Sequence, residues 1–198
     1  MRFSGRELVD LAAAWVALGV AFSIFFVRGL AVGEVVAFLP ASLATVGVAF
    51  LLHELAHKVV AVRYGQIAEF RADYGMLFVA VMSALAGFIF AAPGAVHHRG
   101  RITPRENGII SLAGPVTNLL LLVPFAALAL SGADPAVGGY TVGTLGVGIN
   151  GFLAAFNMIP YGPLDGKTVL RWNKAAYLAV FLPSAAFVVW LFVGTPGF

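Results

Sequence analysis

The chain has 198 residues, of which 61% are hydrophobic and only 11% charged, with a mean hydropathy of +0.95. It is far more apolar than a water-soluble domain of this length, so the expected surroundings are a lipid bilayer. The net charge of +3 is small and the basic residues sit in short clusters between apolar segments, which gives nucleic-acid binding no support. Cysteine is absent, which excludes disulfides, thiolate metal sites and cysteine nucleophiles. Any metal must be held by His, Asp or Glu.

About 20 apolar residues cross the hydrocarbon core as a helix. The first such segment, Leu8 to Val27, is too long for a signal-peptide core and has no clear small-residue cleavage site, so it is expected to stay as a transmembrane helix. The second runs from Val35 to Val62. Gln66 to Val96 fits no single pattern: Glu69 to Tyr74 alternates charged and apolar residues with the period of a strand, and Gly75 marks a turn. An apolar run then extends from Met76 to Ala92 and stops at Pro93-Gly94. His97 and His98 beside Arg99 read as an interfacial loop. Gly108 to Leu130 and Tyr140 to Ile159 are two further crossings, and Ala175 to Val193, carrying Pro183, is a fifth. The expectation is an all-α polytopic membrane protein with about five transmembrane helices and a re-entrant β-hairpin and apolar segment around residues 67–96. The whole chain, 1–198, reads as one membrane domain without a soluble regulatory module.

Lys and Arg cluster at Arg2 and Arg6, at Lys58, Arg63 and Arg71, at Arg99, Arg101 and Arg105, and at Lys167, Arg171 and Lys174. By the positive-inside rule these ends are cytoplasmic, the N-terminus included, which predicts a multi-pass protein of the cell membrane. That arrangement works only if Met76 to Val96 dips into the bilayer and returns.

Chemistry is carried by few residues, because the chain has nine acidic side chains and four histidines. Glu54 lies well inside the second apolar segment, in Phe50-Leu51-Leu52-His53-Glu54-Leu55-Ala56-His57. An ionisable side chain at the middle of a membrane helix costs about 2.5 to 3.5 kcal/mol on insertion scales, so three together require a compensating role. Metal coordination supplies one. His53 and His57 are four residues apart and share a helical face, with Glu54 beside them to hold a water: the H-E-x-x-H arrangement of zinc hydrolases. A polar patch that packs helices, or a proton path in a transporter, are the competing readings.

A catalytic zinc takes three protein ligands and leaves a position open, so a third is needed. Asp165 is the best candidate, in Asn157-Met158-Ile159-Pro160-Tyr161-Gly162-Pro163-Leu164-Asp165-Gly166. On its own Leu164-Asp165-Gly166 reads as a helix-terminating turn with the aspartate as a cap; beside the histidine pair the ligand reading gains. Glu69 and Glu106 are weaker rivals, each flanked by charged residues. Ser111, Thr117, Asn118, Asn150 and Asn157, with the glycine-rich Gly143 to Gly151 stretch, either line a water-filled cavity or allow close helix packing.

These residues resemble the site-2 proteases, a family of intramembrane zinc metalloproteases. His53 to His57 is similar to the family's metal-binding helix, Asn157 to Gly166 to its N-x-x-P-x-x-x-L-D-G motif, and Ala113-Gly114-Pro115-Val116-Thr117-Asn118 to its Gly-Pro motif. The resemblance covers Phe50 to Arg171, within a catalytic core of about residues 35–171. It implies one Zn2+ per chain on His53, His57 and Asp165, Glu54 as the base, and Asn157 as a polar residue assisting substrate or transition state. It also implies a zinc endopeptidase that cuts transmembrane segments of other membrane proteins. The strand of Glu69 to Tyr74 offers an edge that either pairs with an unwound substrate by strand addition or merely closes a loop. A transporter, or an inactive relative that binds without cutting, is the alternative, although neither Glu54 nor a ligand is lost.

Overall fold

The computed structural model describes residues 1–28 and 31–194. In chain order the elements are α1 (Gly5–Val27), α2 (Val32–Ser42), a π-helical turn (Leu43–Gly47) and α3 (Val48–Arg63). Then follow β1 (Ile67–Ala72), α4 (Tyr74–Leu85), β2 (Gly94–Arg99) and α5 (Pro104–Leu130). The chain ends with the short strands β3 (Ala136–Val137) and β4 (Tyr140–Thr141), then α6 (Val142–Asn157), α7 (Asp165–Trp172) and α8 (Lys174–Gly194).

Helix starts are written locally. The Ser4 hydroxyl accepts the amide of Glu7, that of Thr103 forms a capping box with Glu106 just before Pro104, and Thr141 and Thr144 do the same for α6. Within the second apolar segment Pro40 cannot donate to the preceding turn, and the helix widens into the π turn three residues later. Trp15 of α1 seats its ring against Gly47 and donates its indole N–H to the carbonyl of Leu43 at 3.0 Å. The helical stretch runs on through the π turn from Val32 to Arg63.

Four helical stretches are long and apolar enough to cross a membrane among the described residues: Gly5–Val27, Val32–Arg63, Pro104–Leu130 and Lys174–Leu191. The expected crossing at Tyr140 to Ile159 is shorter. Its helix, α6, has 16 residues, about 24 Å against a hydrocarbon core of about 30 Å. The capping box at Thr141 delays its start, and it ends at Asn157, three residues before Pro160. Its glycines serve packing, not a cavity: a side chain at Gly143 would strike the backbone of Ala129 on α5, and Gly146 leaves room for the Phe125 ring.

The segment around residues 67–96 is a β-α-β unit. β1 and β2 pair antiparallel from Ile67↔Arg99 to Ala72↔Gly94, and the Asp73 amide donates to the Pro93 carbonyl at 3.0 Å. The chain thus leaves and returns at one end, with α4 and the extended residues after it forming the excursion. Gly94 sits at φ 146°, where a side chain would collide with the backbone of Arg71 and Ala72. The expected strand of Glu69 to Tyr74 is placed two residues earlier, and His97 and His98 belong to β2 instead of a loop. Alternation in β1 marked the strand; its partner was hidden, because Gly94 to Arg99 carries no clean apolar-polar alternation.

Two acids of α1 are buried, although acidic residues in this chain otherwise sit mostly at segment ends. Glu7 forms an ion pair with Lys58 of α3, and both side chains are almost wholly buried. The other Glu7 oxygen accepts the amide of Phe70 in β1 at 3.0 Å. Asp10 accepts from the Tyr74 hydroxyl at 2.7 Å and lies 3.6 Å from Arg71. One carboxylate therefore holds α1, α3 and β1 together beneath the apolar cluster of Leu18, Phe22, Val46, Phe50 and Phe70. Removing one partner of a buried pair leaves the other uncompensated, at about 3 to 5 kcal/mol. Lys58→Met is expected to lower the free energy of unfolding in detergent by that amount, read as a lower denaturant midpoint, and adding Glu7→Gln, which keeps an acceptor for Phe70, should recover part of the loss. Equal midpoints for Lys58→Met and the parent protein would show that the pair contributes nothing.

Candidate metal centre

His53 and His57 lie one turn apart on the buried face of α3, and α7 begins with Asp165 directly opposite. The two imidazole Nε2 atoms are 3.0 Å apart, and each is 3.3 Å from Oδ2 of Asp165. Among the described residues this is the single cluster of His, Asp and Glu side chains able to share a metal ion. Asp165 is not a cap, since the N-cap of α7 is Leu164. Glu69 and Glu106 are taken up elsewhere, Glu69 by Arg71 at 2.5 Å and Glu106 by the capping box at Thr103.

The donor set fits zinc. Four ligands at about 2.0 to 2.1 Å in a tetrahedron are about 3.3 Å from one another, which is the spacing found here. The outer nitrogens of both rings are already engaged. His57 Nδ1 is 2.7 Å from the carbonyl of Ile110, which can only accept, so Nδ1 carries the proton and Nε2 presents a lone pair. His53 Nδ1 is 2.6 Å from Oδ1 of Asn118, whose amide nitrogen donates to Ala49 and Asn150. Two lone pairs and a carboxylate oxygen then face one point, which a cation relieves. A carboxyl group is a ligand only as the anion, so Asp165 would bring the negative charge of the donor set.

Space for the centre comes from Gly114, where a Cβ would run into both Nε2 atoms. Glu54, 8% exposed, lies beside the cluster, and the Val96 amide of β2 is directed at its carboxylate. A cavity of about 350 Å3 opens onto His53, His57, Asp165 and Glu54. Its lining includes apolar Leu18, Phe22, Val46 and Phe50 and polar His98, Asn107, Ser111 and Thr168. Asn157 lines it too, and one N–H of its amide is held by the Leu153 carbonyl at 3.0 Å.

Of the polar residues that the sequence offers as cavity lining, Ser111 and Asn157 line it. Thr117 bonds back to Ala113, while Asn118 and Asn150 are fully buried in the hydrogen-bonded support of His53. Three contributors had no role assigned from sequence. The Ile110 carbonyl carries no side-chain signal at all, Gly114 was visible only as part of a motif, and Val96 looked like any apolar residue.

The edge of the small sheet that faces the centre is also decided by hydrogen-bond direction. Because the Phe70 amide points away from β2 to Glu7, Phe70↔Val96 is a non-hydrogen-bonded pair, as are Ala68↔His98 and Ala72↔Gly94 by alternation. The outward main-chain groups of β2 are therefore those of Gly94, Val96 and His98, all of which line the cavity. The sheet has two strands, so this edge carries no third. The outer edge of β1 is covered by α1.

Three relatives bear the name "putative zinc metalloprotease". MJ0611 of Methanocaldococcus jannaschii is 40% identical over 194 residues, 96% of this chain and 96% of its own. YwhC of Bacillus subtilis is 31% identical over 150 residues, 67% of this chain and 68% of its own. Rip3 of Mycobacterium tuberculosis is 35% identical over 130 residues, which is 63% of this chain but 29% of that longer protein. No family model and no solved structure matches the chain. Likeness along nearly the whole chain, together with a zinc-compatible H-E-x-x-H centre, leads to one assignment: the chain belongs to the site-2 protease-like family of zinc metalloproteases.

Proposed function

We propose that the protein is an intramembrane zinc endopeptidase that hydrolyses peptide bonds in the transmembrane segments of other membrane proteins. The observation that carries this reading is a three-ligand metal centre with Glu54 beside it, set within apolar helices and reached through a cavity bordered by an open strand edge. His53, His57 and Asp165 would hold the ion, and zinc bound there would supply the Lewis acidity that makes water nucleophilic at neutral pH. Glu54 accepts the proton of the attacking water and delivers it to the leaving amine. The second N–H of the Asn157 amide is the donor offered to the developing oxyanion.

A helical substrate hides its peptide bonds in its own ladder, so it must unwind and find new main-chain partners in a medium that offers none. The outward groups of Gly94 and His98 and the carbonyl of Val96 provide them by strand addition, beside the Val96 amide that is directed at Glu54. β2, not β1, is therefore the strand that receives the substrate. The protein sits in the cell membrane with its N-terminus, β-α-β base and metal-proximal end cytoplasmic, and residues 73–93 re-enter without crossing.

Glu54→Gln keeps size and ligands but removes the proton acceptor. It is expected to retain zinc while cleavage of a single-span membrane substrate falls by at least about a hundredfold. Robust cleavage by this variant would exclude Glu54 as the base. Asp165→Ala should lower both zinc content and activity, because two ligands hold the ion far more weakly than three; an unchanged zinc stoichiometry after dialysis against chelator would remove Asp165 from the centre. The orientation is testable because the parent has no cysteine. Single cysteines at Arg63, Arg99 and Lys174 should react with an impermeant thiol reagent from the cytoplasmic face alone, and one at Ala133 from the opposite face alone. Labelling of position 99 from outside would mean that residues 73–93 cross the membrane.

A further inference from the structure

We infer that Asn118 and Asn150 are positioning residues that set the tautomer of His53 and thereby its strength as a metal ligand, an inference that rests on the zinc reading of the centre. Both side chains are fully buried, and they form one chain of hydrogen bonds whose direction cannot be reversed. At its far end Asn150 donates to the carbonyl of Gly146 at 2.8 Å, an atom that can only accept. Its own oxygen is therefore free to accept from Asn118 Nδ2 at 2.9 Å. The other hydrogen of that nitrogen goes to the carbonyl of Ala49 at 3.2 Å, again an obligate acceptor. With both amide hydrogens committed, Asn118 turns its oxygen to His53 Nδ1 at 2.6 Å and accepts the ring proton. Nε2 is left with a lone pair facing His57 and Asp165.

Rotating the Asn118 amide by half a turn would set its oxygen against the Ala49 carbonyl and an N–H against His53. The ring proton would then move to Nε2, the atom that has to bind the ion. A main-chain carbonyl on α6 thus dictates, through two side chains on α6 and α5, which nitrogen of an α3 histidine is available. His57 needs no such chain, since the Ile110 carbonyl holds its Nδ1 directly. Outer partners of this kind orient the ligand and raise its basicity, and their loss costs about 10- to 100-fold in metal affinity.

The experiment is zinc affinity by chelator competition in detergent, with ring 15N spectra of the metal-free protein, which are tractable because the chain has four histidines. Asn118→Leu removes the acceptor and is expected to weaken zinc binding about 10- to 100-fold, with His53 losing its Nδ1–H signature. Asn118→Asp keeps an acceptor oxygen toward Nδ1 but sets its second oxygen against the Ala49 carbonyl, so it should retain that signature and bind zinc more tightly than Asn118→Leu. Asn150→Ala, which frees Asn118 to rotate, should fall between them. If Asn118→Leu does not accumulate as folded protein, Asn118→Ala replaces it in the comparison. Equal affinity in the parent and the leucine or alanine variant, or the same loss in the aspartate variant with His53 unchanged in its ring signals, would overturn the inference and leave Asn118 as packing. A parent protein that binds no zinc would instead overturn the metal reading of the centre.

Discussion

Two imidazoles and a carboxylate with their ligand atoms within 3.3 Å of one another, buried among apolar helices, are stable only if every other polar valence they own is satisfied. That constraint runs through the rest of the architecture. The outer nitrogen of His57 is met by a main-chain carbonyl and that of His53 by an amide relay, both supplied by α5. The same helix must pass close enough to deliver these groups, which is possible because Gly114 has no side chain at the point of contact. Asp165 arrives from the opposite side at the start of α7, as an anion facing the two rings. Each imidazole thus comes with its support, supplied from 65 and 53 residues away along the chain.

The cytoplasm-facing end of the proposed topology is organised by a second buried charge. Glu7 joins α1 to α3 through Lys58, the residue that follows a metal ligand, and joins α1 to the sheet through Phe70. By taking the outward amide of β1 it also decides which edge of the sheet stays open. The open edge belongs to β2 and borders the cavity, so under the proposed function the Glu7 carboxylate bears on where an extended peptide is received. The excursion through α4 is held at its base by the paired strands and Asp73, and it packs small residues, Ala80 and Ala84, against Ala21 of α1.

The short α6 connects these two themes. Its glycines let it lie against α5 closely enough for Asn150 to reach Asn118, and its early end brings the Pro160 to Pro163 turn and Asp165 to the level of the histidines. A helix of full membrane length at this position would carry Asp165 past the cluster.

Much of this was legible in the sequence alone. Apolar length marked the long helices, and an H-E-x-x-H run inside lipid singled out His53, Glu54 and His57, because ionisable groups there need a reason. The demand for a third ligand ranked Asp165 ahead of Glu69 and Glu106, with a capping turn as its other reading, and alternation at Glu69 to Tyr74 marked one strand. These are local signals, written within a dozen residues or forced by a short supply of ligand types. Only the tertiary structure could show that Asn118 and Ile110 serve the histidines, because the partners lie 65 and 53 residues apart and one of them is a main-chain atom. The same holds for Glu7 with Lys58, 51 residues apart, and for the choice of β2 as the open edge. Hydrogen-bond direction and close approach depend on where helices end up in space, and the residues that satisfy them look no different in sequence from those that merely pack.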